Sequence, residues 1–392
     1  MSLSSRLRPV CGIAGLGLVL LLPACGQRVV PRTAPVPLPP SSAIETSLFL
    51  IGDAGAPHQD EPVLAALGSL IARDTARSLV VYLGDNVYPR GLPAEGDPSR
   101  AEGLRRLEAQ VAVLTSHGVR GWFIPGNHDW ARFSRGGWEA IRRQDGQITV
   151  LGAPLVTLAP HGGCPGPVVV DVGRRLRLVM LDTQWWLQPG SRPASAGDGC
   201  PTFTAAAVES ELRAAVLERD GRHVVVTGHH PMVSGGEHGG FFDWKDHLFP
   251  LRNVASWLWL PLPGLGSAYP IARNFGVTNQ DISGGKYQAM IRAFTRAFEG
   301  RAPLVYAAGH EHGLQVIEGG PARWQLVSGA GIYGHVGPLL GVRGSRLVLS
   351  ESGFMRMDLL GDGRVRLAVI TVDRHGNPTE RYARWLVEAP IL

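Results

Sequence analysis

The chain repeats one pattern, in which a short apolar run ends in a glycine loop that carries Asp, Asn or His. The five stretches are LFLIGDAG (48–55), VVYLGDNVY (80–88), GWFIPGNHDW (121–130), VVVTGHHPMVSGGEHGG (224–240) and LVYAAGHEHGLQ (304–315). Continuous apolar runs of this kind are typical of strands buried on both faces. The glycine lets the backbone turn sharply and leaves room beside a metal or phosphate. Because ligands of open α/β sheets bind beyond the carboxyl ends of the strands, we predict that the five loops meet at one site.

The segments between these runs predict the rest of the fold. Helical spacing of apolar residues occurs at 61–73, 99–116 and 204–221, and residues 168–183 read as two strands around a Gly-Arg turn. Strand-like runs follow the last loop: LQVIEG, RWQLVSGAG, GFMRMDLL and VRLAVITV, the last two joined by a Gly-Asp-Gly hairpin turn. Alternating strands and helices indicate a parallel sheet, and the later strands indicate a second sheet stacked on it. The predicted fold is an α/β sandwich of two mixed sheets flanked by helices.

The N-terminal segment has the features of an export signal. Residues 1–24 contain Arg6 and Arg8 followed by an apolar stretch that is short for a stable membrane span. They end in Leu-Pro-Ala-Cys, which resembles a bacterial lipobox with Cys25 as the lipidated first residue of the mature protein. Ordinary cleavage and a transmembrane anchor are the alternatives. Residues 25–43 are rich in proline and predict an extended tether to the membrane.

Residues 44–392 then form the predicted catalytic domain, with an insertion at about 241–302. The insertion begins with a stretch rich in Trp, Phe, Leu and Pro and ends in a short helical pattern, KYQAMIRAFTRAFEG. One interpretation is a segment packed against the domain. The other is an apolar lid or membrane-facing patch beside the site.

Composition and charge narrow the class of protein. Hydrophobic residues make up 44% and charged residues 18% of the chain, which indicates a globular protein. The net charge of +5 falls to about +3 without the export segment, and we expect no nucleic-acid partner. If the chain is exported, Cys164 and Cys200 could form a disulfide; otherwise they are two separate surface thiols.

The side chains of the five loops are the ligand types that two neighbouring metal ions require. Two close cations need a shared carboxylate to screen their repulsion, oxygen and imidazole ligands on each side, and open positions for water and substrate. One Gly-Asp or one His-x-His occurs often without a metal. Five such loops at strand ends are much harder to explain by structure alone, so we predict a dinuclear site.

The motif order GDxG, GDxxY, GNHD, GHxP and GHxH resembles that of the calcineurin-like metallophosphoesterases. The tyrosine of GDNVY, the EHG after GHHP, GHEHGLQ and SGAG (328–331) resemble more closely the purple acid phosphatases of the small tartrate-resistant type. This resemblance covers about residues 46–335 without the insertion. It implies a hydrolase of phosphate monoesters that holds two metal ions, Fe(III) plus Fe, Zn or Mn.

The resemblance also implies which residues bind each ion. Asp85 would bridge the two, with the ferric ligands Asp53, Asp85, Tyr88 and His312 and the second-metal ligands Asp85, Asn127, His229 and His310. Many calcineurin-like enzymes have a histidine two residues after the first aspartate, where this chain has Gly55. Tyr88 is expected to replace that ligand and to give the purple charge-transfer colour.

Two further histidines are expected to act on the substrate. His128 adjoins a ligand and is predicted to bind phosphoryl oxygens or to protonate the leaving alcohol, while a metal-bound hydroxide attacks phosphorus in line. His238, in the EHG loop, matches a family histidine that contacts substrate, or else is a solvated loop residue. His230 competes with its neighbour for the ligand role, which the resemblance gives to His229.

Asp182 and Thr183 match a family strand end and are expected to support the ligands from behind. The predicted protein is thus a periplasmic or cell-envelope bacterial lipoprotein that hydrolyses phosphate monoesters. Two alternatives stay open. One is a phosphodiesterase acting on nucleotides or lipid headgroups, and the other is a non-catalytic surface lipoprotein that binds metals.

Overall fold

The apolar runs form the inner strands of two sheets in a computed structural model that describes residues 36–242, 244–253 and 257–389. The strands are β1 Ile44–Ile51, β2 Ser78–Tyr82, β3 Arg120–Phe123, β4 Val156–Leu158, β5 Val168–Val172, β6 Leu176–Met180, β7 His223–Thr227, β8 Val305–Ala308, β9 Leu314–Glu318, β10 Trp324–Ser328, β11 Ser345–Leu349, β12 Gly353–Leu360, β13 Val365–Val372 and β14 Pro378–Val387. The helices are α1 Pro62–Ile71, α2 Arg100–Thr115, α3 Gly137–Gly152, α4 Gln184–Leu187, α5 Ala205–Leu217, α6 Trp244–Leu248, α7 Ala268–Asn274 and α8 Gly285–Ala297.

Two seven-stranded mixed sheets are stacked face to face and flanked by helices, which confirms the predicted α/β sandwich. The first sheet has the order β14-β13-β12-β1-β2-β3-β4, and the second has the order β11-β9-β10-β8-β7-β6-β5. Strands β1 to β4 run parallel, as do β6, β7, β8 and β10. Within each sheet the carboxyl ends of its parallel strands therefore lie at one edge.

Three apolar clusters hold these layers together. The first lies between the sheets and contains Leu48, Val81, Leu178 and Val225, among others. The other two lie on the outer faces, where α1, α2 and α3 cover the first sheet and α4, α5 and α8 cover the second. Every described side chain of these clusters lies between residues 48 and 387. A domain that begins at residue 36 therefore contains all of them and is expected to fold on its own.

The structure differs from the sequence prediction in the pairing of the later strands. β12 and β13 join the first sheet, where β12 pairs antiparallel with β1, and do not extend the second sheet. Helix α3 and strands β4, β11 and β14 were not predicted. An apolar run shows that a strand is buried, but its neighbour is decided by packing between distant parts of the chain.

The segment predicted as an insertion contains two unlike parts. Its last part forms α8, whose Tyr287, Met290 and Phe294 are buried against the second sheet. Residues 257–277, by contrast, carry most of the exposed large apolar side chains of the described chain, including Trp257 at 76% and Phe275 at 81% exposure. No helix that is long and apolar enough to cross a bilayer occurs among residues 36–242, 244–253 and 257–389.

Cys164 and Cys200 are joined by a disulfide, with Cα atoms 5.5 Å apart. The crosslink closes a loop that contains β5, β6 and α4. Asp182 and Thr183 lie within this loop, directly after β6. The bond therefore fixes the segment that approaches the predicted site. The predicted export segment, with Cys25, lies outside the described residues.

Candidate metal centre

The ends of five strands meet at one edge of the sandwich. Asp53, Asp85 and Asn127 follow β1, β2 and β3 of the first sheet, and two histidine loops follow β7 and β8 of the second. Gly52 N, in the loop after β1, donates to Ser328 O at the end of β10 in the second sheet at 2.7 Å, and Gly309 N donates to His229 O at 3.0 Å, which joins the two histidine loops. The two sheets therefore supply one common set of side chains.

Two glycines are required for this close approach. A Cβ atom at Gly84, where φ is +92°, would lie 2.5 Å from Nδ1 of His229. A Cβ atom at Gly309 would lie 2.5 Å from Oδ2 of Asp53. Real Cβ atoms do not approach so closely, so larger residues at either position would displace the predicted ligands.

Asp53, Tyr88 and His312 form the first group of donors. The Tyr88 hydroxyl lies 3.2 Å from Oδ1 of Asp53 and 3.3 Å from Nε2 of His312, and that nitrogen lies 3.5 Å from the same carboxylate oxygen. The other carboxylate oxygen of Asp53 accepts a hydrogen bond from His310 N at 2.8 Å. The structure thus brings together three of the four residues that the resemblance gives to the ferric ion.

Asn127, His229 and His310 form the second group. Oδ1 of Asn127 lies 2.9 Å from Nε2 of His229 and 3.1 Å from Nδ1 of His310, and the two ring nitrogens are 3.2 Å apart. Nδ1 of His229 donates to Leu83 O at 2.8 Å. Its Nε2 therefore faces the centre, and it offers a lone pair there once a bound cation displaces the proton from that nitrogen.

Asp85 lies between the two groups. Its Oδ1 is 3.4 Å from Nε2 of His229 and accepts a hydrogen bond from His128 N at 2.9 Å. Donor atoms of Asp53, Asp85 and His229 all lie within 4.8 Å of one another. A carboxylate in this position can be shared by two cations.

The charges of the centre are strongly coupled. Burial alone would raise the pKa of Asp85, but the imidazoles of His229 and His128 hold it well below its usual range. Burial would likewise lower the pKa of His229, yet Asp85 and Asp53 raise it to about 9. Burial and the neighbouring histidines hold the pKa of His310 well below its usual value. His310 is thus neutral and has a lone pair available at neutral pH.

The residues present fit a pair of metal ions. Nε2 of His310 is buried and has no hydrogen-bond partner in the described part of the chain, and the same is true of Nε2 of His230. Imidazole, carboxylate, amide and phenol donors suit Fe, Zn and Mn. Donor atoms of His229, His230 and His310 also lie within 4.8 Å of one another. Of the adjacent histidines His229 and His230, His229 is the better placed ligand, because only its ring contacts both Asp85 and Asn127.

His128 lies at the rim of the centre. Its Nδ1 donates to Pro89 O at 2.7 Å, and its Nε2 is 3.8 Å from Oδ2 of Asp85. Its ring contacts that of Tyr88, with centroids 4.3 Å apart. Burial lowers the pKa of His128 despite the opposing effect of Asp85. The side chain is therefore held with Nε2 toward the donors.

His238 reaches the centre through a contact with the segment predicted as an insertion. Its ring stacks on that of His310 at a centroid distance of 4.0 Å. Arg273 of α7 is buried and donates from Nη2 to Nδ1 of His238 at 2.8 Å. The same guanidinium pairs with Asp281 and with Glu237. Nδ1 of His238 is thus an acceptor, and the ring proton lies on Nε2.

Buried groups behind the ligands fix the loops. The carboxylate of Asp129 accepts hydrogen bonds from the backbone N–H groups of Asn86, Val87 and Gly126. Thr183 Oγ1 accepts from the N–H groups of His229 and His230 at 3.1 Å each. Asp182 accepts from Trp130 Nε1 at 2.9 Å and from Trp185 N at 3.1 Å. These contacts hold the GNHD and GHHP loops to the sheet ends.

Three residues of this environment were not assigned a role from the sequence. Asp129 could have been suspected from its place in GNHD, but two of its backbone partners, Asn86 and Val87, lie in another loop. His335 follows the SGAG motif, and its ring lies 4.1 Å from that of His312. Arg273 lies in a segment with no motif of its own, so only the folded chain shows that it reaches His238.

No protein-family model matches the chain, and no match is found among the curated proteins. Among solved structures, the chain is similar to GAP50, the anchor in the inner membrane complex of Plasmodium. The TM-score is 0.52 at 15% identity, over 88% of this chain and 90% of that one. This likeness shows a shared fold alone, because the identity is so low.

Two further structures match more weakly. The purple acid phosphatase PPD1 from yellow lupin (Lupinus luteus) seeds has a TM-score of 0.48 at 12% identity, over 86% of this chain and 53% of that one. PhoD has a TM-score of 0.49 at 11% identity, over 89% of this chain and 72% of that one.

Proposed function

We propose that the protein is a dinuclear-metal hydrolase of phosphate monoesters. The observation that carries the proposal is the position of Asp85 between two groups of donors, each of which contains residues from both sheets. A single ion would need only one of these groups, whereas two ions need a shared carboxylate between them. The sequence resemblance to purple acid phosphatases supports the same assignment.

The proposed ligands follow from this geometry. Asp53, Tyr88 and His312 would hold one ion and Asn127, His229 and His310 the other, with Asp85 shared. When bound, the ions would neutralise phosphoryl oxygens and lower the pKa of water. The phenol and carboxylates of the first group favour Fe(III), and the amide and imidazoles of the second group suit Fe, Zn or Mn.

His128 is the proposed general acid. Its Nδ1 proton is held by Pro89 O, so a second proton at Nε2 faces the donors and can be passed to the leaving alcohol. Because burial lowers the pKa of His128, this protonated form is favoured in acid. His238 has the complementary role of binding, since its Nε2 proton can be donated to a phosphoryl oxygen while Arg273 holds Nδ1.

The test is turnover by the domain that begins at residue 36, after reconstitution with iron and with zinc or manganese. We expect 4-nitrophenyl phosphate to be hydrolysed faster than bis(4-nitrophenyl) phosphate between acid and neutral pH. His128→Gln should keep both metals and lose on the order of a hundredfold or more in kcat, as expected for a general acid. His375→Gln, at an exposed loop, serves as the matched control. Full turnover in a metal-loaded His128→Gln protein would remove the assignment.

Two other functions have specific observations in their favour. The exposed apolar surface of residues 257–277 favours a phosphodiesterase or a phosphatase of lipid headgroups, which diester preference in the same assay would indicate. The cluster of buried donor atoms would bind metal whether or not the protein turns over an ester, so a non-catalytic metal-binding protein is the second alternative. Two bound metals without turnover of any ester would indicate that function.

We further propose that the protein is a cell-envelope lipoprotein anchored through Cys25. The disulfide between Cys164 and Cys200 supports an oxidising compartment, because such bonds are rare in a reducing cytosol. Replacement of Cys25 by Ser in the full chain should move the protein from the membrane fraction to the soluble periplasmic fraction. Retention in the membrane fraction would contradict the lipid anchor.

A further inference from the structure

A cleft of about 410 Å³ lies beside the candidate metal centre. It is lined by Arg90, Arg132, Phe133, Thr278, Asn279 and Gln280. Arg90 directly follows Pro89, whose carbonyl accepts the hydrogen bond from His128. Arg132 N donates to Asn127 O at 2.9 Å. Both arginines are thus attached to loops that carry predicted metal ligands or the proposed general acid.

Neither guanidinium in this cleft has a partner among the residues that the structure describes. Arg90 and Arg132 are exposed and make no ion pair or side-chain hydrogen bond within residues 36–242, 244–253 and 257–389. By contrast, Arg273 pairs with two carboxylates, and Arg105 and Arg106 share Glu102. Two guanidinium groups that line one small cleft repel each other, and an anion between them would remove that repulsion.

The opposite wall of the cleft is polar and uncharged. It consists of Thr278, Asn279 and Gln280, from the segment predicted as an insertion. The nearest acid in sequence is Asp281, but its carboxylate is buried, pairs with Arg273 and accepts from Thr278 N at 2.9 Å. The wall therefore offers hydrogen-bonding side chains and leaves the positive charge of the two arginines in place.

The backbone that carries Arg132 is held in an unfavourable conformation. Ala131, Arg132 and Phe133 have φ values of 54°, 51° and 63°, in the left-handed region that residues other than glycine rarely adopt. The turn is held by the bond to Asn127 O and by Ala131 N, which donates to His128 O at 2.9 Å. Such conformations persist where the surrounding structure enforces them, often at ligand-binding sites. The ligand loop itself therefore directs Arg132 into the cleft.

We propose that this cleft binds a second phosphate group of the substrate, so that the preferred substrates are organic bisphosphates. This inference rests on the proposed function, since one phosphate would bind at the metal centre and the other between Arg90 and Arg132. Paired guanidinium groups match the geometry and charge of a phosphate dianion. The cleft, with a volume of about 410 Å³, has room for a phosphate group.

The test compares matched esters with the metal-loaded domain that begins at residue 36. The substrates are butyl and hexyl phosphate, 1,4-butanediol bisphosphate and 1,6-hexanediol bisphosphate. We expect at least one bisphosphate to have a KM about tenfold below that of its monophosphate, as charged hydrogen bonds of this kind allow. Arg90→Gln with Arg132→Gln should abolish that difference while kcat and the KM of the monophosphate stay within about twofold. Arg135→Gln, on the same loop but outside the cleft, is the control.

Each other outcome has a defined meaning. The proposal would be overturned if monophosphates and bisphosphates had equal KM values in the wild type. It would also be overturned if the double variant raised the KM of both kinds of substrate by the same factor. A hexyl phosphate ending in a carboxylate that binds as well as the bisphosphate would overturn the assignment to phosphate. If no ester is hydrolysed, the proposed function fails. In that case the binding of 1,6-hexanediol bisphosphate is measured by calorimetry. Weaker binding to the double variant than to the wild type would support a phosphate site in the cleft, and no binding to the wild type would refute it.

Discussion

Tyr88 is the donor that sets this site apart, because a phenol must lose its proton to bind a metal well. Burial, followed by the charges of Asp53 and Asp85, holds the pKa of Tyr88 well above its usual value. A cation between Tyr88 and Asp53 would reverse this effect and stabilise the phenolate. Loading of iron should therefore release a proton from Tyr88.

Replacement of Tyr88 by Phe tests this role without reference to activity. The iron-loaded wild type should show a visible absorption band from phenolate-to-iron charge transfer, and Tyr88→Phe should lack it. Apparent iron affinity should also rise less steeply with pH in the variant, because one fewer proton is released on binding. A visible band of equal strength in Tyr88→Phe would show that another ligand causes it. Tyr333→Phe, outside the donor groups, is the control.

Asp182 predicts a dependence of stability on pH. Burial raises the pKa of its carboxyl to about 8. The hydrogen bonds from Trp130 and Trp185 lower the pKa, but their effect is smaller than that of burial. Since the folded pKa lies above the ordinary value, the stabilising contribution is complete below that ordinary value. It is lost as the pH rises toward 8.

Asp182→Asn should remove this loss. Between pH 5 and 8, the free energy of unfolding of the variant should fall less steeply than that of the wild type, by up to about 1.4 kcal/mol per pH unit. At low pH the variant should be less stable than the wild type. The amide has only one oxygen to accept the hydrogen bonds that Trp130 Nε1 and Trp185 N donate to the two oxygens of Asp182. Urea unfolding at four pH values measures both effects. Parallel curves for the two proteins would contradict the raised pKa.

Individual residues could be predicted from the sequence where a short motif fixes their place. Asp53, Asp85 and His229 each directly follow a glycine at a buried strand end, and the folded chain brings them together. The partners behind them could not be predicted in this way. Asp129 acts through hydrogen bonds to backbone atoms of another loop, for which the sequence has no periodic pattern. Thr183 was expected behind the ligands only because of the family resemblance.

At the scale of elements, helix α7 connects the segment predicted as an insertion to the candidate centre. Arg273 donates to His238, and this fixes which ring nitrogen carries the proton. The same arginine holds Glu237 and Asp281, so it also ties α7 to the EHG loop. We infer that Arg273 is a positioning residue for His238.

A double-mutant cycle separates positioning from simple stability. Arg273→Lys keeps the charge but loses the forked geometry, and should lower kcat/KM by about tenfold in the wild type. In a His238→Ala background the same change should have little further effect, because its target is gone. Thermal unfolding of each variant is measured alongside. If Arg273→Lys lowered kcat/KM by the same factor in the wild type and in His238→Ala, Arg273 would only stabilise the segment that contains α7.

The elements follow the sequence wherever local patterns determine them. Strands β1, β2, β3, β7 and β8 and helices α1, α2 and α5 lie at the predicted apolar runs and helical patterns. Helix α1 begins at Pro62, a residue that suits the first turn of a helix, and Glu61 before it accepts a hydrogen bond from Val63 N. The position of β12 beside β1 is different, since it depends on pairing between residues some 300 positions apart.

For the molecule as a whole, the disulfide between Cys164 and Cys200 is a constraint on the unfolded chain. It closes a loop with a sequence separation of 36, for which chain entropy predicts about 4 kcal/mol of stabilisation. Cys164→Ser with Cys200→Ser should lower the free energy of unfolding by about this amount. Reductant should destabilise the wild type and leave the double variant unchanged. An unchanged unfolding midpoint in the variant would contradict this role.

The loops that meet at the candidate centre come from widely separated parts of the sequence. Asp53 comes from the first described strand, whereas His310 and His312 come from β8, after more than half of the chain. A growing chain therefore has no complete set of donors. Loading of the proposed metal ions would have to wait until synthesis has passed the last histidine, so metal supply and completion of the chain would be coupled in time. Cells starved of metal should accumulate full-length, folded protein that remains colourless and inactive until ions are supplied.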